Sequence, residues 1–456
     1  MAGLTDIMET ALRGLASQRI AMDVAGNNIT NATTPGYSRQ RVELTPTPAL
    51  QQGSVMVGTG VEATGVQRIR DQFLDQQVRS TSDALNYAQS QQTIFSQIES
   101  IVNEPSDSGI SANLDSFFNA FQALSLHPED STARYTVQQQ GKLVAQSFNQ
   151  LHNGIDQLHT DIGTDIQAKV TRVNQLTSEI ADLNGKIVAA GAGGLDTSVL
   201  KDQRDLHVEE LSTLAKINVS DEAGGSEVVM IGGTVIASRS GSMQLQAVKS
   251  STGIDIYSAD QSQKVNVKSG QLGGELDAYN TTIPGYLTQL DTTAKTLIDR
   301  VNQIHSAAYG SGTPPSTGNN FFSGTDASSI ALDSHVASDI TNIAVSGNGS
   351  IGDNSAALAI SGVRDEKLLN NGSTSIGDYY NGLVNQIGTD VKQSGDVATT
   401  QNLLYTQLSG QRDAVSGVSI DEEMTMMLQY QRVFDASSRI INSVDQMYQT
   451  LITMVS

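Results

Sequence analysis

Cysteine and tryptophan are absent from the 456 residues, so disulfides, thiolate metal sites and cysteine nucleophiles are excluded outright. A chain of this length without cysteine suits work outside the reducing cytosol with no covalent staple. Charge is scarce at 16%, against roughly 25% in ordinary globular chains. Cations are scarcer than anions: 27 Lys and Arg face 48 Asp and Glu, leaving a net charge of −21. No basic run occurs anywhere, which excludes the clustered cations that binding a nucleic-acid backbone requires. Long apolar runs are missing too. Nothing approaches the roughly 20 residues of a membrane span, so no membrane insertion is expected. Residues 1–30 hold no apolar h-region or small-residue cleavage site, so the chain is expected to be cytoplasmic or exported without a cleaved signal. Motifs for chemistry are equally lacking, with no HExxH, Walker A, GxSxG or EF-hand pattern. Of six histidines only His152 and His159 share an expected helix, and their spacing is too wide for an i, i+4 chelate. No catalytic residue, metal or cofactor is expected.

What the chain has in abundance is helical periodicity. From Met427, alternate steps of three and four reach Tyr430, Phe434, Ser437, Ile441, Val444, Tyr448, Leu451 and Val455. A second column runs beside it in sevens: Met426, Val433, Ile440, Met447 and Met454. Residues 418–456 therefore form a helix with a broad apolar face. Ser419 to Glu422 makes an S-x-x-E capping box, with Asp421, Glu422 and Glu423 at the positive end of the helix dipole. The start of the chain repeats the pattern: Leu4, Met8, Ala11, Leu15, Gln18, Met22, Ala25 and Ile29 form a coiled-coil seam that ends at Pro35-Gly36. The simplest cover for each terminal helix is the other. Two columns are wider than one partner needs, so the tail is expected to meet further neighbours.

Between the ends the pattern alternates. Residues 37–68 read as irregular strands or hairpins, including one from Ser54 to Val57. Residues 70–103 read as a helix of roughly 50 Å, followed by a shorter one around Leu114 to Leu124. From Thr132 to Ala189 a heptad-like stripe is nearly unbroken, although Gly141, Gly154, Gly163 and Gly185 each weaken it by about 1 kcal/mol. That helix must be held by lateral packing or broken at a glycine. Residues 217–268 read as short strands punctuated by Gly-Gly turns, and helical spacing returns from Ile283 to Ala308. Residues 310–355, rich in Gly, Ser, Asn and Asp, read as a long surface segment with little core. A last inner helix runs from Ile376 to about Gln411, with Tyr380, Leu383, Ile387, Tyr405 and Leu408 on its buried side.

The expected fold is mainly α with a β insertion: an elongated multi-domain chain with paired terminal coiled-coil helices, a long-helix bundle layer and a small outer β domain. The expected boundaries are 1–69 plus 412–456 for the terminal helices and 70–215 plus 270–309 plus 356–411 for the bundle. Residues 216–269 form the β domain and 310–355 the surface segment.

Two motifs carry a resemblance. Asn27-Asn28-Ile29-Thr30-Asn31-Ala32-Thr33-Thr34-Pro35-Gly36-Tyr37-Ser38-Arg39-Gln40 resembles the rod-protein motif of bacterial flagellar axial proteins. Gly417 to Glu423, continuing through Leu428-Gln429-Tyr430-Gln431, is similar to the tail of the hook–filament junction family, and Asp202-Gln203-Arg204-Asp205-Leu206 looks like that family as well. Thr30 and Thr33 depart from its usual Ala and Asn, and the chain is short for the further outer domain of better-known members. The resemblance implies a structural subunit exported through the flagellar type III apparatus, located at the hook–filament junction, with the terminal helices innermost. The implied partners are copies of itself in a ring or helical assembly, the hook protein, the second hook-associated junction protein and a cytoplasmic export chaperone on the C-terminal region. The implied motif residues are Asn27, Asn28, Asn31, Pro35, Gly36, Tyr37, Asp421, Glu422 and Glu423. The expected assembly residues, read from the seams, are Leu4, Met8, Leu15, Met22 and Ile29 with Met427, Phe434, Ile441, Val444, Tyr448 and Leu451. Another axial protein (hook, distal rod or second junction protein) and a secreted coiled-coil adhesin are the alternatives.

Overall fold

The computed structural model describes residues 2–52 and 55–455, without the side chains of Ala2, Gln52 and Val455. Ser54, where one expected strand begins, and Ser456 lie outside the described residues, as does the side chain of the Val455 seam position. The chain opens with helix α1 (Ala2–Thr30), then the strands β1 (Gln40–Pro46), β2 (Leu50–Gln52), β3 (Val55–Val57) and β4 (Val61–Arg68). Helices α2 (Gln72–Val102), α3 (Ile110–Leu126), α4 (Ser131–Ala192) and α5 (Ser198–Leu214) follow. Strands β5 (Ile217–Asp221), β6 (Glu227–Ile231), β7 (Thr234–Ser238), β8 (Gly241–Ser242), β9 (Leu245–Ser250) and β10 (Gly253–Ser258) interrupt them. Then come α6 (Gly270–Asp277), a π-turn (Ala278–Thr282) and α7 (Ile283–Ala307). Short elements follow: β11 (Phe322–Ser323), β12 (Ala331–Leu332), α8 (Ser334–Ser338) and α9 (Ser355–Gly362). The long helices α10 (Ile376–Ser416) and α11 (Ile420–Val455) close the chain. The chain is mainly α with a β insertion.

Local chemistry sets the helix starts. Asp71 accepts hydrogen bonds from the amides of Phe73 and Leu74 at the head of α2, and Asp130 accepts from Thr132 at the head of α4. At 62 residues α4 spans about 93 Å and is unbroken. Its glycines explain why. A Cβ on Gly141 would lie 2.6 Å from the Phe321 ring, one on Gly154 2.8 Å from Ile101, and one on Gly163 2.9 Å from the Tyr279 ring. Three of the five are notches that let neighbours approach the backbone, so burial offsets their low helix propensity. Gly185 and, in the last turn, Gly191 meet nothing.

The buried faces of α2, α3, α4, α5, α7 and α10 share one core, in which Phe148, Ile155, Ile166, Val173 and Leu176 of α4 are fully buried. The four-stranded antiparallel sheet β5-β6-β7-β8 and the β9–β10 hairpin lay Val229, Ile231, Ile236 and Ile256 into that same core. Two asparagines of α4 clip the strands. Asn174 donates to the Leu245 carbonyl and accepts from its amide, both at 2.7 Å. Asn184 does the same with Glu227, at 2.7 and 3.0 Å.

The expectation of a surface segment at 310–355 is overturned. Phe321, Phe322, Ile330, Val336 and Ile343 are fully buried, and Phe321 stands edge-on to Phe121 with ring centroids 5.4 Å apart. His305 holds both sides of the segment: Nδ1 is 2.8 Å from the Asn319 carbonyl, and Nε2 accepts from the Ala344 amide at 2.9 Å. Burial pushes this imidazole down to about 4. The segment's few apolar residues lack a period, so no amphipathic signal reveals them. Local acceptors such as Asp353, bonded by the Ser346 and Ser355 hydroxyls, satisfy the chain instead of regular structure. A smaller correction concerns α10, which runs on to Ser416 and leaves Tyr405 and Leu408 only half-buried.

Candidate functional site

The terminal helices form an antiparallel pair. Thr5 meets the Tyr448 hydroxyl at 2.9 Å, a Cβ on Gly14 would touch Ser437 at 3.5 Å, and Asn28 reaches Glu423 at 3.0 Å. The expected assembly residues are brought together, but within one chain. Leu4, Met8, Leu15, Met22 and Ile29 are half-buried, as are Met427, Phe434, Ile441 and Tyr448, while Val444 is buried and Leu451 exposed. The second column takes the other role. Met426 is half-buried, but Val433, Ile440, Met447 and Met454 are 41%, 46%, 53% and 78% exposed. The first column closes the pair and the second is left for something else.

The motif residues converge where this pair meets the bundle. Asn27 ends α1 by accepting from the Thr30 hydroxyl and the Asn31 amide group, both at 3.0 Å. Asn31 in turn accepts from Thr34 at 3.2 Å. Pro35 is exposed in the turn that follows. Gly36 sits at φ 76°, and a Cβ there would lie 2.4 Å from Leu206 of α5, so both conformation and space require glycine. Asn28, fully buried, is the hub. Its amide group donates to the Gln40 carbonyl at 2.9 Å and to Glu423 at 3.0 Å, and its oxygen accepts from the Tyr37 hydroxyl at 2.8 Å and the Gln40 amide at 3.0 Å. Burial, together with the charges of Asp202, Glu423 and Asp196, pushes the Tyr37 phenol up to about 12, so it stays a donor.

The acids at the head of α11 are divided. Asp421 is exposed and serves through its carbonyl, which accepts from Thr425 at 2.8 Å. Glu422 and the buried Glu423 instead grip Arg39, at 2.8 and 2.7 Å. The capping box is therefore half made: the Glu422 amide lies 3.5 Å from Ser419 Oγ, and its carboxylate has turned to the arginine.

A second layer joins this node to α5. Arg68 pairs with Asp202 and Asp205, both at 2.8 Å, and the Ser38 amide donates to Asp202 at 3.3 Å. Arg70 pairs with Asp205 and, at 2.9 Å, with Asp75. Arg204 reaches Glu227 at 2.6 Å on the sheet side. Burial alone would raise the Asp205 carboxyl, but Arg70, Arg68 and Arg204 together hold it below the usual carboxylate range. Beside these charges lies a polar cavity of about 500 Å³ that Lys201 also lines. Arg68, Arg70, Asp75 and Glu227 carry this network and escaped the sequence reading, which quoted Arg39 within the motif without giving it a role. In a chain with only 16% charged residues, the clusters Arg68-Ile69-Arg70-Asp71 and Asp202-Gln203-Arg204-Asp205 were the available signal.

His152 and His159 take structural places. His152 lies 3.8 Å from Asp291, and His159 stacks on Tyr279 at 3.8 Å. Among the described residues no group of three or more His, Asp or Glu is arranged to hold a metal ion, and no helix is long and apolar enough to cross a membrane.

Both terminal helices and the bundle match known families. Residues 95–322 match the helical domain of flagellar hook-associated protein FlgK. Residues 8–37 match the flagella basal body rod protein family, and residues 411–454 the C-terminal family of the flagellar basal body rod FlgEFG proteins. Flagellar hook-associated protein 1 of Bacillus subtilis strain 168 is 30% identical over 98% of this chain and 97% of its own length. That of Salmonella typhimurium strain LT2 is 28% identical over 49% of this chain and 40% of its own. The flagellar hook junction protein FlgK of Burkholderia pseudomallei shares the fold, with a TM-score of 0.65 at 17% identity, over 75% of this chain and all of that one. The chain belongs to the flagellar hook-associated protein 1 family, structural proteins of the hook–filament junction.

Proposed function

We propose that the chain joins hook to filament by associating with copies of itself, in a ring or helical assembly, through the outward flank of the α1–α11 pair. The exposed column Val433, Ile440, Met447 and Met454 is the observation that carries this reading. Apolar side chains repeated in strict sevens on the outward flank of a helix await a partner. The internal seam from Leu4 to Ile29 and from Met427 to Leu451 holds the pair in register, and the node at Asn28 sets its angle to the bundle. The hook protein and the second hook-associated protein meet the two ends of the assembly. An export chaperone covers the methionine-rich flank beforehand, since methionine side chains adapt to successive partners. The role is structural and not catalytic. Charging the outward column tests the reading: Val433→Asp is expected to leave the bundle and the α1–α11 pair folded, prevent incorporation into hook–filament structures and release filament subunits into the medium. Motile cells with normal filaments carrying that substitution would overturn it.

A further inference from the structure

The β2–β3 hairpin belongs neither to the seam nor to the node. It pairs Leu50 with Val57 and Gln52 with Val55. Side chains alternate along a strand, so Leu50, Val55 and Val57 share a face, and they are 49%, 60% and 43% exposed. A two-stranded hairpin is marginal in water by itself, and an apolar one is a site for association. Its apolar face walls a groove of about 500 Å³, closed on the other sides by Ile7 and Ala11 of α1 and by Ser437 and Ile440 of α11. Asp6 is the single charged residue in that lining.

Ile440 connects the groove to one flank of the tail helix. That flank is uncharged from Val433 onward, with Ala436, Ser443 and Thr450 between Ile440, Met447 and Met454. The opposite flank carries Asp435, Asn442, Asp445 and Gln449. The hairpin stands on the dry side. Further along it, Met447, Leu451 and Met454 are 53%, 41% and 78% exposed and, at i, i+4 and i+7, form one ridge.

We infer that the groove receives this ridge from the tail of a second copy, an inference that rests on the self-association proposed above. Continuity argues for that occupant. The ridge begins about 10 Å and ends about 20 Å beyond Ile440 on the same flank. A copy displaced by that stagger lays Met454 beside the hairpin while the two dry flanks run on together. Charge argues the same way: in a chain of net charge −21, uncharged surfaces are where copies approach with least repulsion. The contact is heterologous, leaving one free groove and one free tail, so it propagates instead of closing a dimer.

The absence of native cysteine makes a direct test available. Val55→Cys and Met454→Cys chains with different tags are co-expressed in the parent bacterium lacking its own copy, and isolated hook–filament structures are treated with a short bis-maleimide. A cross-linked dimer carrying both tags is expected, with none from Val55→Cys alone. Both variants present at wild-type amount without a mixed dimer would overturn the inference, as would dimers of Val55→Cys alone. Independently, Val55→Asp is expected to lower incorporation at least tenfold while the purified chain melts at the wild-type temperature; wild-type incorporation would overturn it. The two readings separate cleanly. If Val433→Asp blocks assembly but the Val55 tests fail, only the groove falls; if Val433→Asp incorporates normally, self-association through the outward flank falls.

Discussion

Helices α4 and α11 carry nearly the same alternation of apolar residues, and the structure treats them differently. On α4, Val144, Phe148, Ile155, Ile166, Val173, Ile180 and Ile187 are 0% exposed. Among the described side chains of α11 only Glu423 and Val444 are buried, while Met424, Leu428, Val433, Ile440 and Met447 stand exposed. Periodicity defines a face; the number of neighbours decides how much of it is covered. Helix α4 has α3, α5, α7 and the sheet around it, whereas α11 has α1 alone along most of its length. The bundle is complete within one chain and the terminal pair is not.

The largest expected effect lies in the bundle. Phe148→Ala removes a fully buried ring and is expected to cost about 3–5 kcal/mol in denaturant unfolding, with the whole transition moving to lower denaturant. A loss confined to the terminal helices would break the comparison.

Next comes the node. Glu423→Ala removes the buried partner of Arg39 and of Asn28, and breaking such a pair costs about 3 kcal/mol. The loss is expected in the docking of the terminal pair, read as faster proteolysis within residues 2–37 and 418–455, with the bundle's melting unchanged.

Acid sharpens the contrast at intermediate size. His305, neutral in the fold down to about pH 4, loses stability for the bundle as pH falls from its unfolded value near 6.5, because only the unfolded chain takes up the proton there. Glu275 opposes it. Burial, against the pull of Lys169 at 2.6 Å, raises its carboxyl to about 7, so its contribution is present below about pH 4.5 and lost as pH rises through 7. Between about pH 4.5 and 6.5 the two slopes offset each other. Glu275→Gln is expected to expose the histidine slope, a loss of about 2 kcal/mol on acidification across that window, measured by denaturation at each pH. At the node Asp205 is held below the ordinary carboxylate range, so that layer keeps its charge until more acidic pH than an unperturbed Asp would.

The smallest effect separates the glycines of α4. Gly185→Ala, facing open space, is expected to stabilise by up to about 1 kcal/mol, whereas alanine at Gly141 meets Phe321 and destabilises. Thermal melts of the two variants should move in opposite directions.

Much of this was legible from residues alone. The long helices and the β insertion followed from periods of 3.6 and 2, and the pairing of the terminal helices, though not its antiparallel direction, from two matching seams. The motif residues were visible, but not their junction: Asn28, Gly36 and Glu423 lie at separate chain positions, and nothing in their spacing says that Arg39 and Leu206 complete them. Phe321 and Phe322 were hidden because an aperiodic segment shows no buried face.

The sequence by itself determined that both ends of this protein are amphipathic helices, and that the tail is wider in apolar surface than one partner needs, since side-chain direction along a helix is a local property. Only the tertiary structure decided how that surface is divided: Met427, Phe434, Ile441 and Val444 turn toward α1, and Val433, Ile440, Met447 and Met454 turn outward. The reason is angular. The node pins Glu423 to Asn28 and Arg39, and that one buried contact sets the rotation of α11 about its axis, hence which column faces inward and which is left for a neighbour.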